Sequence, residues 1–457
     1  MDRVSPTPLP HRAPRRRTRR IVGLGAAGLA ALLALAYAVL CAIAPLPEPV
    51  VRLDEPVTAR FSADAAEVQR AVDAEQQPTA VGWLHDDAVW TNSERAAPIA
   101  SISKLVTALV VLDAQPVEAG SDGPTHIWTA EDAARQAEYL AEDGVAFPIP
   151  VGTEVTARQM LQLALVPSAN DFAAAYAYSV FGDNAGFLAA VRDWQQRAGL
   201  ASLELHEPTG MDEHNAASAA DVLRLARLAL ENETVAEIVA LPRVDLPWGI
   251  GTVESTNPLH GVLDGVVGVK TGRTNAAGYN LAAARTSDAL GREVVQLSVV
   301  LGRDSDEDRL RSSLDLFSAL DAAPRRLAIV EPGERLGTAT TVDGVEIPIL
   351  ADGGADAVLL PGEEATRTAS LRSGGFSEAG EPDAGLTGAD AAAGRSVGAI
   401  RVTGPGDPKD SAEPDAENGT SPGTPADRTI DLVTGADVVA PSYGWRLTHP
   451  RELFTWS

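Results

Sequence analysis

Ser101 and Lys104 stand three residues apart in the run Pro98-Ile99-Ala100-Ser101-Ile102-Ser103-Lys104-Leu105, and that spacing can make a nucleophile. Apolar residues at Ile102, Leu105, Val106, Leu109 and Leu112 recur with the period of a buried helix, and Pro98 marks the turn before it, so Ser101 falls at a helix start. Positions i and i+3 share one helix face, which puts the Lys104 amine beside the Ser101 hydroxyl in apolar surroundings. A solvated lysine keeps its proton at pH 7. Desolvation lowers its pKa, and a neutral amine can then take the proton of an otherwise weak serine nucleophile. An isolated S-x-x-K reads more plainly as a serine cap with a snorkelling lysine. Composition argues against that here, because the chain holds only three lysines, Lys104, Lys270 and Lys409, among 37 basic residues. Arginine serves wherever charge alone is needed, and arginine cannot give up its proton, so a lysine kept at this position points to proton transfer.

The bulk composition bounds the other possibilities. At 457 residues, 45% hydrophobic and 22% charged, the chain reads as globular and long enough for two domains. A formal net charge of −26 argues against nucleic acid as a partner. One cysteine excludes an internal disulfide framework and any multi-thiolate site, and the seven histidines lack ligand spacing, so neither a metal nor another cofactor is expected.

The elements that must position the serine and lysine follow in chain order. Residues 1–20 carry seven arginines against Asp2, and 21–44 form an uncharged apolar run. As a helix that run reaches about 36 Å, enough for a hydrocarbon core of about 30 Å. The basic flank belongs in the cytoplasm, so 21–44 reads as a transmembrane signal anchor, single-pass in the cell membrane, with the catalytic domain extracellular. A signal peptide cut after Ala42-Ile43-Ala44 is the alternative, disfavoured by the length of the run and by Pro45. Cys41 follows Leu40 inside the run and is not read as a lipoprotein cysteine.

Residues 45–78 are expected as a Pro-rich tether with a short amphipathic helix over 64–75. Residues 79–90 read as two strands around an Asp-Asp turn. After the Ser101 helix come a polar helix over 131–142, an apolar one over 156–166 from a Thr156 cap, and helices over 172–181, 186–198 and 219–230. The break Pro167-Ser168-Ala169-Asn170 presents two polar side chains on a loop held by apolar helices. Strands over 266–272, 279–284 and 294–301 precede a closing helix over 307–320, which predicts an α+β domain over 79–322, an antiparallel sheet flanked by helices. Short apolar segments at 327–330, 345–350, 357–360, 397–402 and 429–433 predict a small β domain over 323–457. Two inserts rich in Gly, Pro, Ala and acid, 373–394 and 404–427, interrupt it, and their composition predicts disorder. The tail with Trp445, His449 and Phe454 is open to packing or to contact with a membrane or partner.

Taken together, Ser101-Ile102-Ser103-Lys104, Ser168-Ala169-Asn170 and Lys270-Thr271-Gly272 resemble the S-x-x-K, S-x-N and K-T-G set of serine penicillin-recognising enzymes. With three lysines in the chain, a chance K-T-G downstream of both other motifs is improbable. Thr107-Ala108, Pro208-Thr209-Gly210, Thr256-Asn257, and Gly268-Val269 and Arg273-Thr274 around Lys270-Thr271-Gly272, with Ala277-Gly278-Tyr279, extend the resemblance to the low-molecular-mass D-alanyl-D-alanine carboxypeptidases. It covers about 79–320, and the β domain that follows is similar in kind to the C-terminal domain of that family.

The resemblance implies a β-lactamase/transpeptidase-like fold and an enzyme of cell-wall biogenesis. Ser101 would attack the carbonyl between the terminal D-alanines of a peptidoglycan stem peptide, Lys104 would take its proton, Ser168 would relay a proton to the leaving amine, and Asn170 would hold Lys104 and the substrate amide. Backbone N–H groups of Ser101 and Arg273 would stabilise the oxyanion, and Lys270 with Thr271 and Gly272 would receive the substrate carboxylate. β-Lactam antibiotics would acylate the same serine. A β-lactamase or esterase of the same fold and a non-catalytic wall-binding protein are the competing readings. Between Asn170 and Lys270 there is no E-x-x-L-N to activate a deacylating water, and a binding module needs neither Ser101 nor Lys104.

Overall fold

The computed structural model describes residues 16–372, 390–405 and 426–454. Five antiparallel strands form the central sheet, in the spatial order Val266–Thr274, Gly278–Ala289, Arg292–Arg303, Thr79–Trp83 and Trp90–Thr91. Both faces of this sheet are covered, which is why its strands read as continuous apolar runs: Leu281, Ala282, Ala283 and Ala284 are all fully buried. Successive side chains point to opposite faces. Ala282, Ala284, Leu297 and Val299 accordingly share one core with Leu105, Val106, Leu161, Phe172 and Leu223, from the helices Ser103–Ala114, Ala157–Leu165, Asn170–Phe181 and Ala219–Glu231. Leu281, Ala283 and Val300 share a second core with Val68 and Val72 of Ala66–Asp73 and with Leu316, Phe317 and Leu320 of Asp306–Ala322. The α+β sheet flanked by helices that the sequence predicts is the fold observed.

Local chemistry sets the helix starts. Thr156 accepts from the Gln159 N–H while Gln159 returns a bond to the Thr156 N–H, and Thr129 with Asp132 repeats this capping box at the helix Ala130–Ala141. Ser218 and Ser305 cap Ala219–Glu231 and Asp306–Ala322 in the same manner with one bond each. The helix Glu233–Val239 and the hairpin of Arg243–Leu246 with Gly251–Glu254 were not anticipated by the sequence pattern.

The C-terminal region builds a seven-stranded antiparallel sheet in the order Val50–Leu53, Arg335–Thr340, Glu346–Ala351, Ala426–Thr434, Ser396–Gly404, Glu364–Leu371 and Thr58–Ser62. Both edge strands come from 45–78, the segment expected as a tether. Besides the helix Ala66–Asp73, it pairs Val50 with Thr340 and Phe61 with Ala365. Of the expected inserts, 373–389 and 406–425 lie outside the described residues, while within the described part Ala391 bridges Val438 and Gly404 pairs with Ala426 in the sheet. A half-buried ion pair joins the two regions, Arg292 donating to both carboxylate oxygens of Glu363 at 2.6 and 2.7 Å. Leu360 packs into the core beside Trp83 and Trp90.

At the N-terminal side, the helix Arg16–Ile43 contains the stretch Gly23–Ile43, 21 residues long and apolar enough to cross a membrane.

Candidate active site

The helix that carries the proposed base begins with a tight turn. A 3-10 turn over Ala100–Ile102 runs into Ser103–Ala114, in which every residue from Ser103 to Leu112 is buried. Ala100 has a φ of +48°, a left-handed conformation uncommon for a residue with a side chain, and the Ser103 hydroxyl donates to its carbonyl at 2.7 Å. Two glycines press on this turn. A Cβ on Gly210, whose φ is +89°, would lie 2.0 Å from the Ala100 carbonyl oxygen, and one on Gly272 would lie 2.5 Å from that of Ile99 and 3.2 Å from the Ser101 nitrogen. Only a residue without Cβ lets both segments approach the serine backbone so closely.

Lys104 is 1% exposed and its amine donates to three acceptors: Ser101 Oγ at 2.8 Å, Asn170 Oδ1 at 2.6 Å and the Thr209 carbonyl at 2.7 Å. All three ammonium protons are thereby placed. Burial lowers the Lys104 pKa to about 7, against the opposing pull of the Glu207 and Asp171 carboxylates.

Ser168 and Asn170 occupy the break between the helices Ala157–Leu165 and Asn170–Phe181, and both are buried. Ser168 has a φ of +70°, and the chain around it is fixed by Ala169 N–H donating to Leu163 O at 2.8 Å and Asn170 N–H to Val145 O at 2.7 Å. Next in the chain, Asp171 is buried, and its pKa is pushed up to about 6 by that burial, partly offset by hydrogen bonds from Gln136 Nε2 and the Phe147 N–H.

The strand Val266–Thr274 brings the third motif against the nucleophile turn. Lys270 is 2% exposed, and its amine makes one hydrogen bond, to the Thr271 carbonyl at 3.2 Å. Burial holds its pKa well below the ordinary lysine value, and the nearby charges of Lys104 and Arg309 lower it further. The Thr271 hydroxyl pairs with that of Thr256. Arg273 is exposed beside these buried groups and stacks over Tyr279, 5.2 Å from the ring centroid. The structure thus brings two buried amines, the Ser101 hydroxyl and a surface guanidinium to one region.

Sequence reasoning missed Glu207. Its carboxylate accepts from the Thr209 N–H and hydroxyl, both at 2.7 Å, from the Gly210 N–H at 2.5 Å and from Asn215 Nδ2 at 3.0 Å. It therefore shapes the loop whose carbonyl completes the Lys104 shell. Asn215 ties this loop to the nucleophile turn, accepting from the Ile99 N–H at 2.9 Å through its carbonyl and donating to Ser103 Oγ at 3.2 Å. The available signal was the neighbouring Pro208-Thr209-Gly210; an acid before a proline in a chain with 63 acids carries no signal of its own.

Residues 89–305 match the family model Peptidase S11, D-alanyl-D-alanine carboxypeptidase. The D-alanyl-D-alanine endopeptidase of Pseudomonas aeruginosa is 28% identical over 257 residues, covering 53% of this chain and 78% of that one. The D-alanyl-D-alanine carboxypeptidase DacF of Bacillus subtilis is 28% identical over 223 residues, 48% of this chain, so this chain matches about half of that relative, 54%. Among solved structures, penicillin binding protein 5 from Haemophilus influenzae superposes with a TM-score of 0.50 at 18% identity, over 78% of this chain and 96% of that one, a likeness of fold.

Proposed function

We propose, from the match of residues 89–305 to the D-alanyl-D-alanine carboxypeptidase family, that this serine-type hydrolase removes the terminal D-alanine of peptidoglycan stem peptides through an acyl-enzyme on Ser101. The observation that carries the reading is the 2.8 Å contact between Ser101 Oγ and a fully buried Lys104 amine that titrates near 7. A base with this pKa is neutral in a large fraction of molecules at physiological pH and still basic enough to take a hydroxyl proton.

As the Ser101 oxygen attacks the peptide carbonyl, its proton passes to Lys104 Nζ, whose position Asn170 Oδ1 and the Thr209 carbonyl hold. Negative charge then develops on the carbonyl oxygen, and the backbone N–H groups of Ser101 and Arg273 stabilise it. The departing D-alanine amine receives a proton through Ser168. Water releases the acyl group in a second step, with the lysine again the base. The substrate's free carboxylate meets Lys270, Thr271 and Arg273. β-Lactams carry a carboxylate at the corresponding place and acylate Ser101 by the same attack. The helix Gly23–Ile43 supports a single-pass anchor with the catalytic domain on the outer side.

Incubating the purified chain with a pentapeptide stem and assaying free D-alanine tests this reading. Release by the native chain, with none from Ser101→Ala, is the expected result; release by Ser101→Ala at the native rate removes Ser101 from the reaction.

A further inference from the structure

The apolar helix Arg16–Ile43 has no basic residue in its last turn, so its open carbonyls carry partial negative charge without a cation of their own. The tail brings one from far along the chain: Arg446 Nη1 donates to the Ala42 carbonyl at 3.1 Å. Tyr443 Oη donates to the Ala38 carbonyl at 3.1 Å, and Tyr37 Oη donates to the Leu447 carbonyl at 2.7 Å. Between these bonds Cys41, Ala44 and Leu453 are buried together, with Leu46, Trp445, Leu447 and Phe454 packed against them.

The short helices Tyr443–Thr448 and Pro450–Leu453 therefore lie alongside the last turns of the apolar helix. At 1.5 Å per residue, Ala38 is about 8 Å below Ile43 along the axis. Interfacial helices sink their apolar side to about that depth, 5–10 Å below the headgroup boundary. Two properties of the tail match such a location. Its exposed residues mix Tyr443, 49% exposed, and the preceding Val439, 64% exposed, with the polar Ser442, Thr448, Arg451 and Glu452, an amphipathic surface suited to a headgroup layer. Its charge also runs against the rest of the chain, since residues 440–457 hold Arg446 and Arg451 against Glu452 alone in a chain of net charge −26.

We infer that residues 443–454 form a membrane-interface collar, which clamps the exit of the apolar helix and seats Tyr443 and Trp445 among the phospholipid headgroups and upper acyl chains of that leaflet. This rests on reading Gly23–Ile43 as a membrane span. The collar follows the strand Ala426–Thr434 and so gives the C-terminal sheet a second link to the apolar helix, beside the edge strand Val50–Leu53 that follows the helix directly.

The test uses the full chain in vesicles of phosphatidylglycerol and phosphatidylethanolamine, brominated either near the ester end or near the methyl end of the acyl chains. Tryptophan quenching of the native chain is compared with that of Trp445→Phe. The expected result is stronger quenching by ester-end bromines, an excess lost in Trp445→Phe. Trp445→Tyr keeps an interfacial side chain without the emitter and gives the same loss if Trp445→Phe does not fold. Equal quenching of native chain and variants by both lipids overturns the collar. An alkaline wash separates the collar from its premise: a chain that stays in the membrane pellet without quenching at Trp445 keeps the span and loses the collar, and a chain washed off loses both.

Discussion

Gly272 lies against Ile99 so closely that a methyl group on its Cα would stand 2.5 Å from the Ile99 carbonyl oxygen. The contact sets the distance between the strand that carries Lys270 and the turn that carries Ser101. Gly272→Ala must push the two apart, an overpacking that costs about 1–3 kcal/mol. Misplacement of reacting groups by about 1 Å can cost 10²-fold, so acylation by a fluorescent penicillin is expected to slow by about tenfold or more. An alanine variant that acylates at the native rate would mean that this spacing does not control the reaction.

Glu207 raises the proton affinity of Lys104, whose pKa burial sets near 7. Replacing it by glutamine removes the negative charge, so the charged lysine is less favoured and its pKa falls. The acid limb of the acylation rate, expected near pH 7 in the native chain, then moves to lower pH in Glu207→Gln. The pH profile separates this from scaffolding, which would lower the rate at every pH and leave the limb where it was.

The Arg292–Glu363 pair is half-buried and bidentate, and it lies away from the serine. Arg292→Ala leaves the Glu363 carboxylate without its cation, a loss of about 1–3 kcal/mol in stability. A lower thermal midpoint with unchanged penicillin acylation is the expected outcome. An unchanged midpoint would show that the pair contributes nothing to holding the sheets together.

Strands Ser396–Gly404 and Ala426–Thr434 are hairpin partners, with Gly404 opposite Ala426. The chain thus leaves and rejoins the sheet at one end, and deleting 406–425 with an Asn-Gly turn in its place can close the hairpin. Turnover of a soluble stem peptide should stay close to native. Loss of most activity would mean that the deleted residues act on the catalytic region.

The three motifs and the helices and strands bearing them were legible because each is local: a buried helix at Ile102, Leu105 and Leu109, a Thr156 cap, an apolar strand around Lys270. Val50–Leu53 and Thr58–Ser62 were not. They are four and five residues long, half-exposed, and made into strands by partners such as Thr340 and Ala365 about 300 residues away. The third acceptor of Lys104 was also invisible, because it is the Thr209 main-chain carbonyl and any residue type offers one. Its determinant, Glu207, acts through backbone N–H groups that leave no pattern in the sequence.

The direct test of the central claim, that a neutral Lys104 activates Ser101, compares Lys104→Arg with Lys270→Arg in acylation by penicillin. Arginine keeps the charge at either site but cannot accept the serine proton, because its guanidinium stays protonated above pH 12. General-base catalysis is worth about 10²–10⁴-fold, so Lys104→Arg should lose at least about a hundredfold in acylation rate. Lys270→Arg, which preserves attraction for a carboxylate, should lose clearly less. If folded Lys104→Arg acylates as fast as Lys270→Arg, Lys104 is not the base.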